Sequence, residues 1–379
     1  MSDLRGNAVF AQSGGPTAVI NSSISGAVQE ALGHDCFEGL YGAYNGILGV
    51  LGEDLFDLRK ERADDIENLK RTPSAALGSC RYKVRKSVDF ERIVDVFKAH
   101  NVRYFFYAGG NDSMDTADKV AALAGDGGWE MRVMGIPKTI DNDLAHTDHT
   151  PGYGSVVKYN ATAVMEAGRD TEALWTHDTC TVMEIMGRNA GWIAAGTGLA
   201  RREAPDAPHL IYLPERPVPL ERIAEDVRAC LKEFKCCFIA AGEGAKNEKG
   251  EYLASMGGSF GQDDFGHLQL GGVAEFLRAF VEKEVGVKVR TNKVGTAQRN
   301  AMHFASLTDV TEAAECGAAA VRKAAGGQTG FMITLVREEG PIYRCSTATA
   351  PLADVANGEK LVPDEFINEA GNGITEAMR

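Results

Sequence analysis

Gly109-Gly110-Asn111-Asp112-Ser113 and Pro137-Lys138-Thr139-Ile140-Asp141-Asn142-Asp143 decide how this chain is read. Each follows a run of strand-forming residues, Val102-Arg103-Tyr104-Phe105-Phe106-Tyr107-Ala108 before the first and Arg132-Val133-Met134-Gly135-Ile136 before the second. Loops at the carboxyl ends of parallel strands are where open α/β sheets bind ligands. The first loop offers glycines for close backbone approach to an anion. The second gathers two carboxylates, a hydroxyl and a lysine, a set of groups that suits phosphoryl transfer to an alcohol.

Outward from these loops, strand and helix patterns alternate. Asn7 to Gln12 reads as a strand, Ser13-Gly14-Gly15-Pro16-Thr17 as a loop and Ala18 to Leu32 as a helix. Asp89 to His100 places Phe90, Ile93, Val94 and Phe97 on one helical face. Ser113 to Leu123 is the helix after Gly109-Gly110, with Ser113 or Asp112 as its cap. Further on come a helix from Tyr153 to Trp175, a strand from Thr179 to Ile185 and a helix from Asn189 to Ala200. His209 to Leu213 is a strand, and Leu220 to Phe234 is a helix with Leu220, Ile223, Val227, Leu231 and Phe234 inward. Cys236 to Ala241 is a continuous apolar strand, as burial on both faces requires. Asp263 to Gly271 reads as a glycine-rich polar loop, and Arg344 to Ala356 as hairpin-like before a polar tail. The alternation predicts an α/β protein of two domains, with mainly parallel sheets flanked by helices.

A chain of 379 residues exceeds the usual single core. Its net charge of -13 argues against a general nucleic-acid binder, though a few local arginines can still hold phosphate. The first residues enter a strand pattern without a signal-peptide pattern. No apolar run is long enough to span a bilayer. The eight cysteines lack Cys-x-x-Cys or zinc spacing and read as reduced, buried thiols, so a cytoplasmic protein is expected. His146-Thr147-Asp148-His149 could hold a metal, but so short a cluster reads more simply as a polar surface loop.

Ser13-Gly14-Gly15 and Gly109-Gly110 both lie between a strand and a helix, where backbone amides and the helix N-terminus favour phosphate. Neither matches the dinucleotide fingerprint or the G-x-x-x-x-G-K-[ST] loop. In an extended Thr139-Ile140-Asp141-Asn142-Asp143, residues 139, 141 and 143 point the same way. Asp141 could then accept the proton of an attacking alcohol; a turn held by Asp and Asn side chains is the competing reading.

The two loops resemble those of the 6-phosphofructokinase family, and Asp112 with Lys138 resembles its pyrophosphate-dependent branch. The resemblance runs from Ser13-Gly14-Gly15 to Gln298-Arg299. It implies a first domain of residues 1–150 plus about 300–335 for pyrophosphate, and a second of 151–299 plus about 336–379 for the sugar phosphate. It implies transfer of a phosphoryl group from pyrophosphate to the 1-hydroxyl of fructose 6-phosphate, with Asp141 as base and Asp143 beside it. ATP-using members carry glycine at the positions of Asp112 and Lys138. A carboxylate at 112 would occupy the place of ATP's α-phosphate and repel it, and Lys138 would stabilise charge on the transferring group.

By the same resemblance Gly14, Gly15, Gly110 and Ser113 bind pyrophosphate, together with Arg81 of Gly78-Ser79-Cys80-Arg81, for which a plain surface arginine is the competing reading. Thr139, Met186-Gly187-Arg188, Glu243 and Arg299 bind the sugar phosphate, and Arg290 reaches a neighbouring subunit's site in a homodimer or homotetramer. Several positions depart from the family pattern. Asn111 stands where relatives carry a magnesium-binding aspartate, so Mg²⁺ is expected mainly on pyrophosphate oxygens. Thr296 and Thr179 replace a family histidine and arginine. Ser25 and Gln29 replace effector-site arginines, which implies kinetics without nucleotide regulation. The rival readings are an ATP-dependent or sedoheptulose-7-phosphate kinase of the same fold, and a catalytically silent sugar-phosphate-binding subunit.

Overall fold

The computed structural model describes residues 4–256, 259–262, 268–270, 272–356 and 358–379. In chain order its strands are β1 (Gly6–Gln12), β2 (Phe37–Ala43), β3 (Leu55–Asp57), β4 (Val102–Gly109), β5 (Arg132–Pro137), β6 (Cys180–Ile185), β7 (Leu210–Tyr212), β8 (Cys237–Gly242), β9 (Ser259–Gln262), β10 (Leu268–Leu270), β11 (Val289–Lys293), β12 (Phe331–Arg337) and β13 (Cys345–Pro351). The chain divides into two units. One comprises Met1–Ile140, Leu144–Ser155 and Arg299–Glu359; the other comprises Asp141–Asp143, Val156–Gln298 and Lys360–Arg379.

The first unit holds a seven-stranded sheet in the order β13-β12-β5-β4-β1-β2-β3, parallel from β12 to β2 and antiparallel at both ends. Strand alternation sorts its core into two layers. Ala8, Phe10, Tyr104 and Phe106 pack with the helices Ile20–Ala31 and Leu307–Ala325, and Phe10 stacks on Phe106 at 5.0 Å. Val9, Ala11, Phe105 and Tyr107 pack instead with the helices Ser87–Ala99 and Asn111–Asp126. The two helices of the first layer touch backbone to backbone. A Cβ on Gly26 would lie 2.0 Å from the Ala314 carbonyl oxygen, and one on Gly317 would lie 1.9 Å from that of Ser23. Only glycine permits that approach.

The first unit extends to Glu359 instead of ending near residue 335. The reason is β13, which pairs antiparallel with β12 along its whole length and leads into the helix Leu352–Ala356, packed on the second layer.

The second unit holds the all-parallel sheet β11-β6-β8-β7. Its central β8 is buried at every residue. The helix Leu220–Phe234 buries Ile223 and Val227, with Leu220, Leu231 and Phe234 partly covered. The helix expected over 189–200 is reduced to Trp192–Gly196 and a 3-10 turn, Thr197–Ala200. Gly196 and Gly198 are poor helix formers, and the helix that remains starts after Gly191, its N-cap, whose amide donates to Glu215 Oε1 at 2.8 Å. Glu215 also accepts from Val362 N at 3.0 Å, and burial pushes its carboxyl up.

The expected polar tail is therefore anchored. Trp192 Nε1 donates to Lys360 O at 2.8 Å, its ring meets Phe366 edge-on, and Ile367 bridges Ile374. Of the loop expected over 263–271, residues 263–267 and 271 lie outside the described residues, and Leu268–Leu270 form β10, antiparallel to β9. All eight cysteines are free thiols, six of them buried. Among the described residues no helix is long and apolar enough to cross a membrane.

His146 to His149 is an irregular segment with His146 and Asp148 exposed, as a polar loop would be, but Thr147 is buried. Asp148 N donates to Leu335 O and Leu335 N donates to Thr147 Oγ1, both at 2.9 Å, so the segment is tied to β12. Among the described residues no cluster there or elsewhere could hold a metal ion. His149 instead lies between Asp148 Oδ2 at 2.9 Å and Glu312 Oε2 at 2.7 Å. Burial by itself would lower the imidazole's pKa, but the two carboxylates outweigh it and push the pKa up to about 9. A pKa raised on folding stabilises the protein fully below the unfolded value near 6.5 and ceases to do so as pH rises through the folded value. We expect urea unfolding of the native protein to lose on the order of 3 kcal/mol between about pH 6.5 and 9.5 from this group. His149→Gln should flatten that part of the profile; an unchanged slope would remove the imidazolium from the account.

Candidate functional site

In the first unit β1 lies between β2 and β4, so the chain leaves β1 in one direction and β4 stands on the other side. Loops diverge at such a reversal and leave room at the strand ends. Here the loops are tied together at their roots: Ser13 N donates to Ala108 O at 2.9 Å and Lys138 N to Gly109 O at 3.1 Å. Gly14 has φ +78°, and a Cβ there would lie 2.9 Å from Lys138 Nζ, so the residue is glycine on both counts. Lys138 is buried, and its Nζ donates to Gly15 O at 3.0 Å. Two guanidinium groups close on the same backbone: the Cβ position of Gly15 is 3.1 Å from Arg299 Nη1 and 3.8 Å from Arg81 Nη2. A lysine and two arginines thus surround Gly14-Gly15.

The helix Asn111–Asp126 starts directly after Gly110, its N-cap, and no side chain caps it. The expected cap at Asp112 or Ser113 is absent because the helix begins earlier than predicted, which leaves both residues inside its first turn. Ser113 is buried. Asp112 favours the positive end of the helix dipole, and its carboxylate meets Lys83 Nζ at 2.6 Å. Asn111 Nδ2 donates to Gly358 O at 2.9 Å, which leaves Oδ1 as its oxygen for other use.

Residues 139–143 do not form the extended run expected of them. Thr139 makes an isolated parallel bridge with Gly152, the chain bends at Ile140 and Asp141, and Asn142 is left-handed with φ +56°. Alternation along a strand therefore does not align Thr139, Asp141 and Asp143. Thr139 belongs to the first unit, and Asp141–Asp143 to the second. There Lys360 holds the turn, its N donating to Asp143 O at 2.8 Å and its Nζ to Asn142 Oδ1 at 3.2 Å.

Elsewhere in the second unit, Met186-Gly187-Arg188 follows β6 and Glu243 follows β8. Because β6 and β8 pair in parallel, the two loops meet, with Glu243 N donating to Ile185 O at 2.8 Å. The buried Gln298 receives Met186 N at 3.2 Å and is tied to Asn160 and Gly295 O, an anchoring role its sequence context did not disclose. Arg188 Nε is buried without a hydrogen-bond partner among the described residues. Arg290 pairs with Asp178 at 2.5 Å and Asp170 at 3.3 Å. In the first unit Ser25 is buried, and Gln29 bonds Glu67 and Lys70.

Residues 7–324 match the family described as Phosphofructokinase. The chain is 44% identical to the pyrophosphate–fructose 6-phosphate 1-phosphotransferase of Halomonas elongata, over 98% of this chain and 90% of the relative. It is 45% identical to the protein of the same description from Xanthomonas campestris pv. campestris, over 99% and 90%. The crystal structure of the pyrophosphate-dependent phosphofructokinase from Marinobacter aquaeolei superposes with a TM-score of 0.89 at 42% identity, covering 98% of this chain and 89% of that one.

Residues 72–81, which deliver Arg81, are held by two buried amides that the sequence left unremarked. Gln12 Nε2 donates to Asn21 Oδ1 at 2.9 Å, and Gln12 Oε1 receives Leu77 N at 2.9 Å. Asn21 Oδ1 also receives Ala76 N at 2.8 Å, while its Nδ2 donates to Thr72 O at 2.9 Å. Gly14 N donates to Cys80 O at 2.9 Å, which binds the same segment to the first loop. Asn21→Ala strands the buried Gln12 Nε2 and removes the partners of Ala76 N and Thr72 O, and should cost about 1–3 kcal/mol. Amide hydrogen exchange at Ala76 and Leu77 should rise ahead of global unfolding; protection equal to the native protein's would show that the segment is held by other means.

Proposed function

The chain belongs to the phosphofructokinase family, and from its relatives and its own loops we infer that it moves a phosphoryl group reversibly between pyrophosphate and the 1-hydroxyl of fructose 6-phosphate. Forward, the hydroxyl oxygen bonds to phosphorus, the bridging P–O bond of pyrophosphate breaks, orthophosphate leaves, and the hydroxyl proton passes to Asp141. The products are fructose 1,6-bisphosphate and orthophosphate. The broken and formed bonds are of comparable energy, so the reaction runs in both directions.

The first unit is the proposed donor-binding part. Gly14, Gly15, Gly110, Ser113 and Arg81 would hold pyrophosphate, and Lys138 would carry the charge that develops on the transferred group. The observation that carries this assignment is the buried lysine: Lys138 keeps its ammonium against Gly15 at a reversal of strand order, with Asp112 paired to Lys83 in the same unit. In the second unit Met186, Gly187, Arg188 and Glu243 would bind the sugar phosphate; Thr139 and Arg299, which the family resemblance assigns to the same substrate, belong to the first unit. The partnerless Nε of Arg188 supports that role, since a guanidinium fork matches phosphate oxygens. Asp143 would assist Asp141. Arg290 would serve a neighbouring subunit in a homodimer or homotetramer.

For Mg²⁺ the chain offers the Asn111 Oδ1 and no cluster of three ligands among the described residues. That donor set suits an ion carried mainly by substrate phosphates, which would neutralise their charge during transfer. With Ser25 buried and Gln29 engaged, phosphate-binding effector arginines are missing, and we propose simple hyperbolic kinetics.

A coupled assay of the purified protein should show turnover with pyrophosphate and none with ATP; equal use of both donors would defeat the exclusion ascribed to Asp112. Asp141→Ser should lower turnover by roughly two to four decades with much smaller changes in substrate affinity. Retention of more than about a tenth of native turnover would take the base role from Asp141.

A further inference from the structure

Lys83, the partner of Asp112, takes no part in the proposed reaction. Lys83 lies in the irregular segment that follows Arg81, and it crosses to the first turn of the helix Asn111–Asp126, where its Nζ stands 2.6 Å from Asp112 Oδ1. The two side chains remain 33% and 35% exposed. Ion pairs that open to solvent contribute little to stability, so the pair is poorly explained as a structural bond.

Asp112 itself poses an electrostatic problem. It stands two residues beyond Gly110, at the start of a helix that favours anions, in the unit where Lys138, Arg81 and Arg299 gather around Gly14-Gly15. A bare carboxylate there would repel every phosphate donor, pyrophosphate included. A cation in hydrogen-bond contact cancels most of that repulsion and leaves the carboxylate's bulk in place. It also confines the side chain, which could otherwise swing toward solvent.

We propose that Lys83 is a positioning residue for donor choice, acting through Asp112: it fixes the carboxylate where a nucleotide's α-phosphate would lie and masks its charge from pyrophosphate. The proposal rests on the reading of Asp112 as the group that excludes ATP. Lys83 does not touch the donor in this scheme. Its effect exists only while Asp112 is present.

The test is a double-mutant cycle on the full chain with Lys83→Met, Lys83→Arg, Asp112→Gly and the Lys83→Met/Asp112→Gly pair, reading KM and kcat with pyrophosphate and with ATP. Lys83→Met should raise the pyrophosphate KM about tenfold with kcat changed by less than about threefold. Lys83→Arg should restore the KM to within about threefold, since the guanidinium can keep the ion pair. In the Asp112→Gly background, Lys83→Met should change the KM by less than about twofold, the signature of full coupling. A native KM in Lys83→Met would reduce the pair to a solvent contact and overturn the proposal. So would an effect that persists without Asp112, which would mean that Lys83 binds pyrophosphate directly. Asp112→Gly on its own separates the underlying reading: if it leaves both donors' kinetics unchanged, Asp112 does not select the donor, whatever Lys83 does.

Discussion

Parallel pairing of Gly6–Gln12 with Val102–Gly109 is the constraint on which the first unit depends. Both strands are buried on both faces, so neither can carry polar chemistry along its length. Their side chains are committed to two apolar layers, and reactive groups can appear only where the strands stop. The same pairing brings the Ser13 and Gly109 loops side by side, because β2 departs on the opposite flank. The amide of Ser13, bonded to Ala108 O, then sets where the first loop begins. Lys138 reaches that loop because β5 pairs with β4 one position further along.

An acidic protein with a net charge of -13 must bind highly anionic substrates against its own field. At physiological ionic strength that field is screened beyond roughly 8 Å, so what matters is the composition of the nearest shell. At the proposed donor site around Gly14-Gly15 the cations that lie close are Lys138, Arg81 and Arg299. Backbone amides and a helix start add fixed partial charge that needs no counter-ion of its own. Several of the acidic residues that give the chain its sign are paired elsewhere, as with Glu312 and Asp148 at His149 or Asp178 at Lys288 and Arg290.

The parts legible in the sequence were those set by local pattern. The strands before Gly109 and Pro137, the helix Leu220–Phe234 and the apolar β8 all follow from periodicity within a dozen residues. So does the position of the Ser13 and Gly109 loops, each a strand end followed by glycines and a helix; what they bind was legible only through the family resemblance. What the sequence hid depends on distant partners. The extended reading of 139–143 failed because Asn142 is left-handed and its turn is held by Lys360, more than two hundred residues later. The helix over 189–200 starts only after Gly191, whose amide donates to a distant carboxylate, Glu215. The tail proved anchored because Trp192 and Glu215 bind it. The approach of the Arg299 guanidinium to Gly15, nearly three hundred residues earlier, has no local signal either. Lys83, Gln298 and the Gln12–Asn21 pair had no signal at all: an exposed lysine and three amides look ordinary until their partners are known.

The helix Leu307–Ala325 and strands β12 and β13 complete a sheet and a layer whose other members come from the first 140 residues. Synthesis makes those early residues long before their partners. Until residues beyond Phe331 emerge, β5 keeps an open edge, and the face of the helix Ile20–Ala31 around Gly26 has nothing to rest on. Open strand edges invite pairing with other chains, and contacts so remote in sequence slow the approach to the native state. The nascent protein therefore spends most of its time on the ribosome with its first sheet unfinished. Its yield in a cell should depend more on protection of that edge than on the stability of the finished molecule.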